Sequence, residues 1–239
     1  EYESYDVADR LRWGETNTLT VVLHTRGDSP RAGLYGSVSL QAMPDSFPDH
    51  PTLQPLVDSR RVRFPCDLWH GGAAGSAALR FIVTPRGSGG VEKHFLQDLP
   101  LDPADRSQPA FSSQCRRVEA TFDWPEAHLW NLDDPYLYDV LVQLLQDNKV
   151  VDEAPPVRFG YREFTRRGSD FYLNGKPVHL RGHQIDLAWA SPMEHVKELK
   201  AAGMNAFELS GPISHSSHAG TRYQRARFAQ ILTYAAETG

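Results

Sequence analysis

Polar and aromatic side chains gather just beyond three strand-like runs in the last third of the sequence. Arg181, His183, Gln184, Asp186 and Trp189 follow the first run, Ser210, His215 and His218 the second, and Glu237 the third. Together they make a rim suited to a hydroxyl-rich ligand. Each also has an ordinary reading: a loop His or Asp is commonly solvated or capping, and Arg181 is a natural ion-pair partner inside a sheet. Glu208 and Glu237 offer themselves as a carboxyl pair, but Glu208 falls inside its strand and faces either the ligand side or the helix layer. His215 and His218 form a His-x-x-His pair with no third ligand in view, below what a zinc site needs, so no metal or other cofactor is expected. The glycines at 87–90 lack the Lys-Ser/Thr of a phosphate loop and read as a hairpin turn. No G-x-S-x-G elbow occurs, and the RGD at 26–28 reads as a loop coincidence.

The chain that positions these residues has 239 of them, with 25 basic and 30 acidic side chains and a formal net charge of −5. Hydrophobic residues make up 40%, enough for sizeable cores, and the length suits two domains. Mild acidity with scattered Arg argues against a nucleic-acid partner. No apolar run approaches the roughly 18–20 residues of a membrane helix. Cys66 and Cys115 fit neither a disulfide framework nor a metal spacing and are expected to be free, buried thiols. The sequence opens at Glu1 on strand-like residues and stops at Gly239 after another such run, which gives the expectation of a piece of a longer protein.

Residues 1–160 read as antiparallel β-structure. Leu19, Val21 and Leu23 alternate with other residues, as do Leu79, Phe81 and Val83, then Val118, Ala120 and Phe122, then Val140, Val142 and Leu144 before a turn at Asp147 and Asn148. Gly, Pro, Asp and Ser clusters separate these runs, the pattern of a sandwich. Past Gly160 the pattern changes. Asn174 and Gly175 mark a hairpin whose second arm, 178–180, leads to the ligand loop. Ser191, Pro192 and Glu194 predict a capped helix with Met193, Val196 and Leu199 as its apolar stripe and Gly203 as its stop. A strand at 205–209, a helix at 222–230 and a strand at 231–235 complete a strand–helix alternation, which predicts a parallel sheet with its ligand at the carboxyl ends of the strands.

Several phrases, in order along the chain, resemble glycoside hydrolase family 2, the β-galactosidase, β-glucuronidase and β-mannosidase group. FYLNGKPVHLRG at 171–182 is similar to that family's hairpin and first barrel strand. LWNLDDPYLYDVLVQLL at 129–145 and FGYREF at 159–164 resemble the close of its immunoglobulin-like domain. YDVADRLRWGETNTLTVVL at 5–23 and GLYGSVSLQA at 33–42 resemble the last strands of its jelly roll, and KELKAAGMNAFELS at 197–210 its first barrel helix and second strand. The resemblance implies the tail of a sugar-binding jelly roll over 1–44, an immunoglobulin-like β-sandwich over 45–160 and the first three strands of a (β/α)8 barrel over 161–239. It implies part of a retaining exo-β-glycosidase, with the catalytic Glu pair on later strands and none in this chain. The alternative is a non-catalytic carbohydrate-binding or scaffolding protein derived from such an enzyme.

The partners implied are a β-glycoside and the rest of the same polypeptide, with homo-oligomerisation left open. Substrate-binding residues are expected to be Arg181, His183, Asp186, Trp189, Ser210, His215 and Glu237. Trp189 would stack on a pyranose face. Arg181 and Ser210 match the family pattern. Gln184 and Asp186 replace its usual Asn and His, Glu208 its usual Arg, and Ser210-Gly211-Pro212-Ile213 its Ser-His-Tyr-Pro, which leaves the sugar open.

Overall fold

The computed structural model describes residues 7–22, 38, 40, 42–87, 89–103, 115–187, 190–210 and 219–239. A short 3₁₀ turn (Ala8–Arg10) is followed by irregular chain. The strand expected at 17–23 is absent over its described residues, and Leu19 and Val22 stand 69% and 67% exposed. Alternation makes a strand only where a neighbour completes the ladder, and none of the described strands pairs with this segment.

The sandwich begins with β1 (Ser46–Asp49), β2 (Gln54–Leu56) and β3 (Arg61–His70). It continues through β4 (Gly75–Pro85), β5 (Lys93–Leu101), β6 (Cys115–Asp123), β7 (Tyr138–Gln146) and β8 (Lys149–Phe159). One antiparallel sheet sets β3 between β6 on one side and β1 and β2 on the other; the second runs β5-β4-β7-β8. Val62, Phe64, Cys66 and Leu68 alternate inward along β3 and meet Leu79, Phe81 and Val83 of β4 and Val140, Val142 and Leu144 of β7 in one core. The three later alternations read from the sequence are therefore strands with the expected faces.

Pro65 sits in the middle of β3, where a missing N–H normally breaks a ladder. Its carbonyl, on the same side as its nitrogen, accepts from Thr52 in the gap between β1 and β2, so no ladder bond is lost there. Pro155 and Pro156 lie on the edge strand β8, where they are tolerated. Asp147 and Asn148, at φ 49° and 59°, make the tight turn between β7 and β8.

Neither cysteine is bridged. Cys66 is buried, but Cys115 is exposed at the start of β6, which corrects the expectation of two buried thiols. Burial pushes the Cys66 thiol up to about 12. The nucleophile is the thiolate, so a thiol reagent at pH 8 is expected to modify one cysteine per native chain, Cys115, and both after unfolding. Two fast thiols in the native protein would contradict this packing.

After Tyr161 the chain forms a three-stranded antiparallel sheet of β9 (Phe164–Arg167), β10 (Asp170–Leu173) and β11 (Lys176–Val178). Next come β12 (Gly182–Asp186), α1 (Pro192–Ala201), β13 (Ala206–Ser210) and α2 (Ala219–Thr238). β12 and β13 pair in parallel, the arrangement the strand–helix alternation predicts.

Three expectations change here. The segment 178–180 does not serve as the parallel strand: β11 ends at Val178, and that strand lies at Gly182–Asp186, which draws His183 and Asp186 into it. No third strand forms at 231–235, because α2 runs unbroken through it. Phe228, Ile231 and Tyr234 recur at helical spacing against the second core, and a five-residue apolar run is ambiguous until such a partner surface decides it. Ser191 stands at the N-cap of α1 and Pro192 opens the helix, but the Ser191 side chain makes no capping bond and Glu194 binds Lys197 at 2.9 Å instead.

Candidate functional site

The parallel pair has two unlike faces. Ile185 and Leu187, both fully buried, point with Phe207 and Leu209 towards Val196 of α1 and Ile231 of α2. Side chains alternate along a strand, so Gln184 and Asp186 of β12 and Glu208 and Ser210 of β13 share the opposite face. The register sets Gln184 beside Glu208 and Asp186 beside Ser210. Gly182 permits the close approach: a Cβ there would stand 2.9 Å from the Ala206 carbonyl oxygen. An open depression of about 340 Å³ lies against these strands, with Gly182, Gln184, Ala206 and Glu208 among its walls. The exposed Glu208 carboxylate and Gln184 amide, with the half-buried Asp186 and Ser210 beside them, can exchange hydrogen bonds with several ligand hydroxyls.

Asp186 and Ser210 end their strands at the carboxyl edge, where the topology predicts a ligand. Ser210 is held there, its hydroxyl donating to the Ile185 carbonyl at 3.4 Å while its own carbonyl accepts from Leu187 N–H at 3.1 Å. Arg181 is at the other end. It precedes β12, its N–H donates to Asn205 Oδ1 at 2.8 Å and its Nε to the Gly203 carbonyl at 3.1 Å, so it braces the amino ends of both strands. His183 lies edge-on to His195 of α1 at 5.6 Å, on the helix side. Glu237 is in the last turn of α2, where it accepts from Arg158 at 2.8 Å. Trp189, His215 and His218 lie outside the described residues. The sequence reading undervalued Gln184 and Glu208; the signal for them was the period of two, once the strand is placed at 182–186.

A junction fixes this unit to the sandwich. Trp130 Nε1 donates to the Ala236 carbonyl at 2.7 Å, and the Arg162 guanidinium lies 4.0 Å over the Trp130 ring. Burial pushes the Arg162 pKa down. Asn174 and Gly175 turn the β10–β11 hairpin at φ 52° and 75°. The Asn174 amide also donates to the Trp130 carbonyl at 2.9 Å and to Asn131 Oδ1 at 3.0 Å. One residue thus forms the turn and docks it.

Arg86, Asp139, Arg158 and Glu237 continue the junction as a chain of ion pairs with contacts of 2.8–3.0 Å. Partial burial pushes the Asp139 pKa up, but hydrogen bonds from Arg86 and Arg158 outweigh it and hold the carboxyl below its usual range. A depressed folded pKa contributes stability above the unfolded value, about 3.9 for Asp, and that stability is lost as pH falls through the folded value. Asp139→Asn is therefore expected to lower the urea midpoint at pH 7 and to lower it less at pH 3. An equal loss at both values would show that shape, not charge, holds the site.

Comparison with known proteins puts these features in a class. Residues 54–162 match the profile of glycosyl hydrolases family 2. A β-galactosidase of Halalkalibacterium halodurans is 29% identical over 91 residues, 34% of this chain and 9% of that enzyme. A solved family 2 member from Bacteroides cellulosilyticus superposes with a TM-score of 0.58 at 23% identity, over 82% of this chain and 24% of the other. The galacturonate-bound β-galacturonidase of Eisenbergiella tayi gives a TM-score of 0.57 at 15% identity, over 82% of this chain and 32% of the other. The two structures share the fold. This chain is thus related to family 2 glycoside hydrolases, and the matches span only a part of those enzymes.

Proposed function

We propose that this chain is part of a retaining exo-β-glycosidase, with 1–44 closing a jelly roll, 45–160 forming an immunoglobulin-like sandwich and 161–239 opening a (β/α)8 barrel. The observation that carries the proposal is the polar face of β12 and β13, held on a parallel pair that follows the sandwich matching the family profile and its adjoining three-stranded sheet. In a barrel this face would turn inward, and Asp186 and Ser210 would stand at its catalytic rim. Retention needs a nucleophile and a general acid/base about 5–5.5 Å apart. We assign that Glu pair to strands beyond this chain and give these residues the binding of sugar hydroxyls. Trp189 and His215 would border the same rim, while Arg181, His183 and Glu237 act by positioning. The relatives include β-galactosidases and β-glucuronidases, so kinship leaves open whether the sugar is charged. Titrating the chain with methyl β-galactopyranoside and following its amide resonances tests the site: shifts are expected at 182–186 and 206–210. Shifts confined to the sandwich would overturn it.

A further inference from the structure

We propose that Asn174 is a site of spontaneous deamidation, kept intact by the junction, whose conversion to a carboxylate unfastens the hairpin from the sandwich. Asn174 alone of the asparagines is followed by glycine. Gly175 has no side chain to hinder its nitrogen, so that nitrogen can attack the Asn174 Cγ. A C–N bond forms, the attacking N–H gives up its proton, and the carboxamide nitrogen leaves as ammonia. Water then opens the cyclic imide to aspartate, or to isoaspartate, in which the main chain runs through the side chain.

In the folded chain the carboxamide is held at both ends. Its Oδ1 accepts from Glu163 N–H at 3.0 Å, and its Nδ2 donates to the Trp130 carbonyl at 2.9 Å and to Asn131 Oδ1 at 3.0 Å. Turning Cγ towards the Gly175 nitrogen breaks these bonds, so the reaction waits on local opening. Afterwards they cannot all re-form. A carboxylate only accepts, so two oxygens would face it at hydrogen-bond distance with no proton between them. Asn131 can turn its amide to meet the carboxylate, at the loss of its 3.4 Å contact with the Leu129 carbonyl; the Trp130 carbonyl has no such remedy. Like charge adds to the misfit. The Glu163 carboxylate accepts from Val57 N–H at 3.2 Å, and Asp58 Oδ1 lies 3.9 Å from where a Cβ on Gly175 would stand.

The test ages the unaltered 239-residue chain at pH 8, with and without guanidinium chloride, and follows the Asn174 peptide by mass. Deamidation is expected to run at least about tenfold slower in the native chain, and Asn131→Ala, which removes one acceptor, should narrow that gap. Equal rates with and without denaturant would overturn the protection. Asn174→Asp supplies the product directly, and the amides of β10 and β11 should then exchange about tenfold faster at pH 7. A carboxyl whose charge is disfavoured in the folded chain has a raised pKa, so the penalty is present above the unfolded value, about 3.9, and fades below it. The urea midpoint of Asn174→Asp should therefore lie below that of the unaltered chain at pH 7 and approach it at pH 3. Unchanged stability at pH 7 would mean that a cation on these segments, Arg60, Arg162 or Lys176, accepts the carboxylate, and would overturn the unfastening. An equal loss at both pH values would overturn the charge clash as its cause. The ageing experiment uses the unaltered chain and decides the protection even where Asn174→Asp does not fold.

Discussion

Replacing Trp130 by Ala is expected to destabilise the chain by about 3–5 kcal/mol, the range for losing a buried aromatic ring. Trp130 is 6% exposed and serves three neighbours. Its Nε1 satisfies the Ala236 carbonyl near the end of α2, where helix carbonyls lack partners of their own. Its face carries the Arg162 guanidinium, whose Nη1 has no hydrogen-bond partner among the described residues, so removing the ring takes away the cation–π contact and leaves that charge over a cavity. Its flank fills the space against Gly160, where a Cβ would come within 2.7 Å of the indole. Trp130→Phe keeps a ring and loses the donor, for an expected cost of about 1–3 kcal/mol. Urea unfolding measures both, and hydrogen exchange adds the location: in Trp130→Ala the amides of α2, β12 and β13 should exchange before those of β3, β4 and β7. Uniform acceleration would show that Trp130 supports the sandwich rather than the junction.

The second large effect lies inside the sandwich. Phe64 is 1% exposed, stacks on Phe81 at 4.5 Å between centroids and touches Phe95 and Phe122, and so bridges the two sheets. Phe64→Ala should cost about 3–5 kcal/mol, because β-strands on both sides hold the cavity open. Phe64→Leu should cost less, as it restores most of the volume. Denaturant midpoints decide: a loss below about 1 kcal/mol for the alanine variant would mean that the core collapses around the gap and that the two sheets are loosely packed.

The sandwich was legible because its strands are buried on one side only, which prints a period of two on the sequence. Leu79, Phe81 and Val83 announce both their conformation and their face. Asn174 and Gly175 announced their turn, since few residues tolerate two consecutive left-handed conformations. The last 60 residues were harder. β12 reads Gly-His-Gln-Ile-Asp, with one apolar side chain, so nothing local separates it from a loop, and the apolar hairpin arm before it drew the assignment. The segment 231–235 looks like a strand by composition and is helical because Ile231 and Tyr234 meet the surface beneath α2. The site followed these boundaries. Asp186 and Ser210 are partners in register at the ends of their strands, whereas the contacts of Arg181 and Glu237 are with distant partners, Gly203 and Arg158, that sequence proximity does not reveal.

The most direct test of the functional account is hydrolysis of a panel of aryl β-glycosides by the protein purified from its natural source, with its intact mass measured on the same sample. A polypeptide longer than 239 residues is expected, one that releases the aryl group from a β-glycoside and forms the β-anomer first. Sugar binding without turnover of any glycoside by that protein would favour the non-catalytic binding reading. Turnover by a species of only these 239 residues would contradict the account and return Glu208 and Glu237 as the carboxylates to replace.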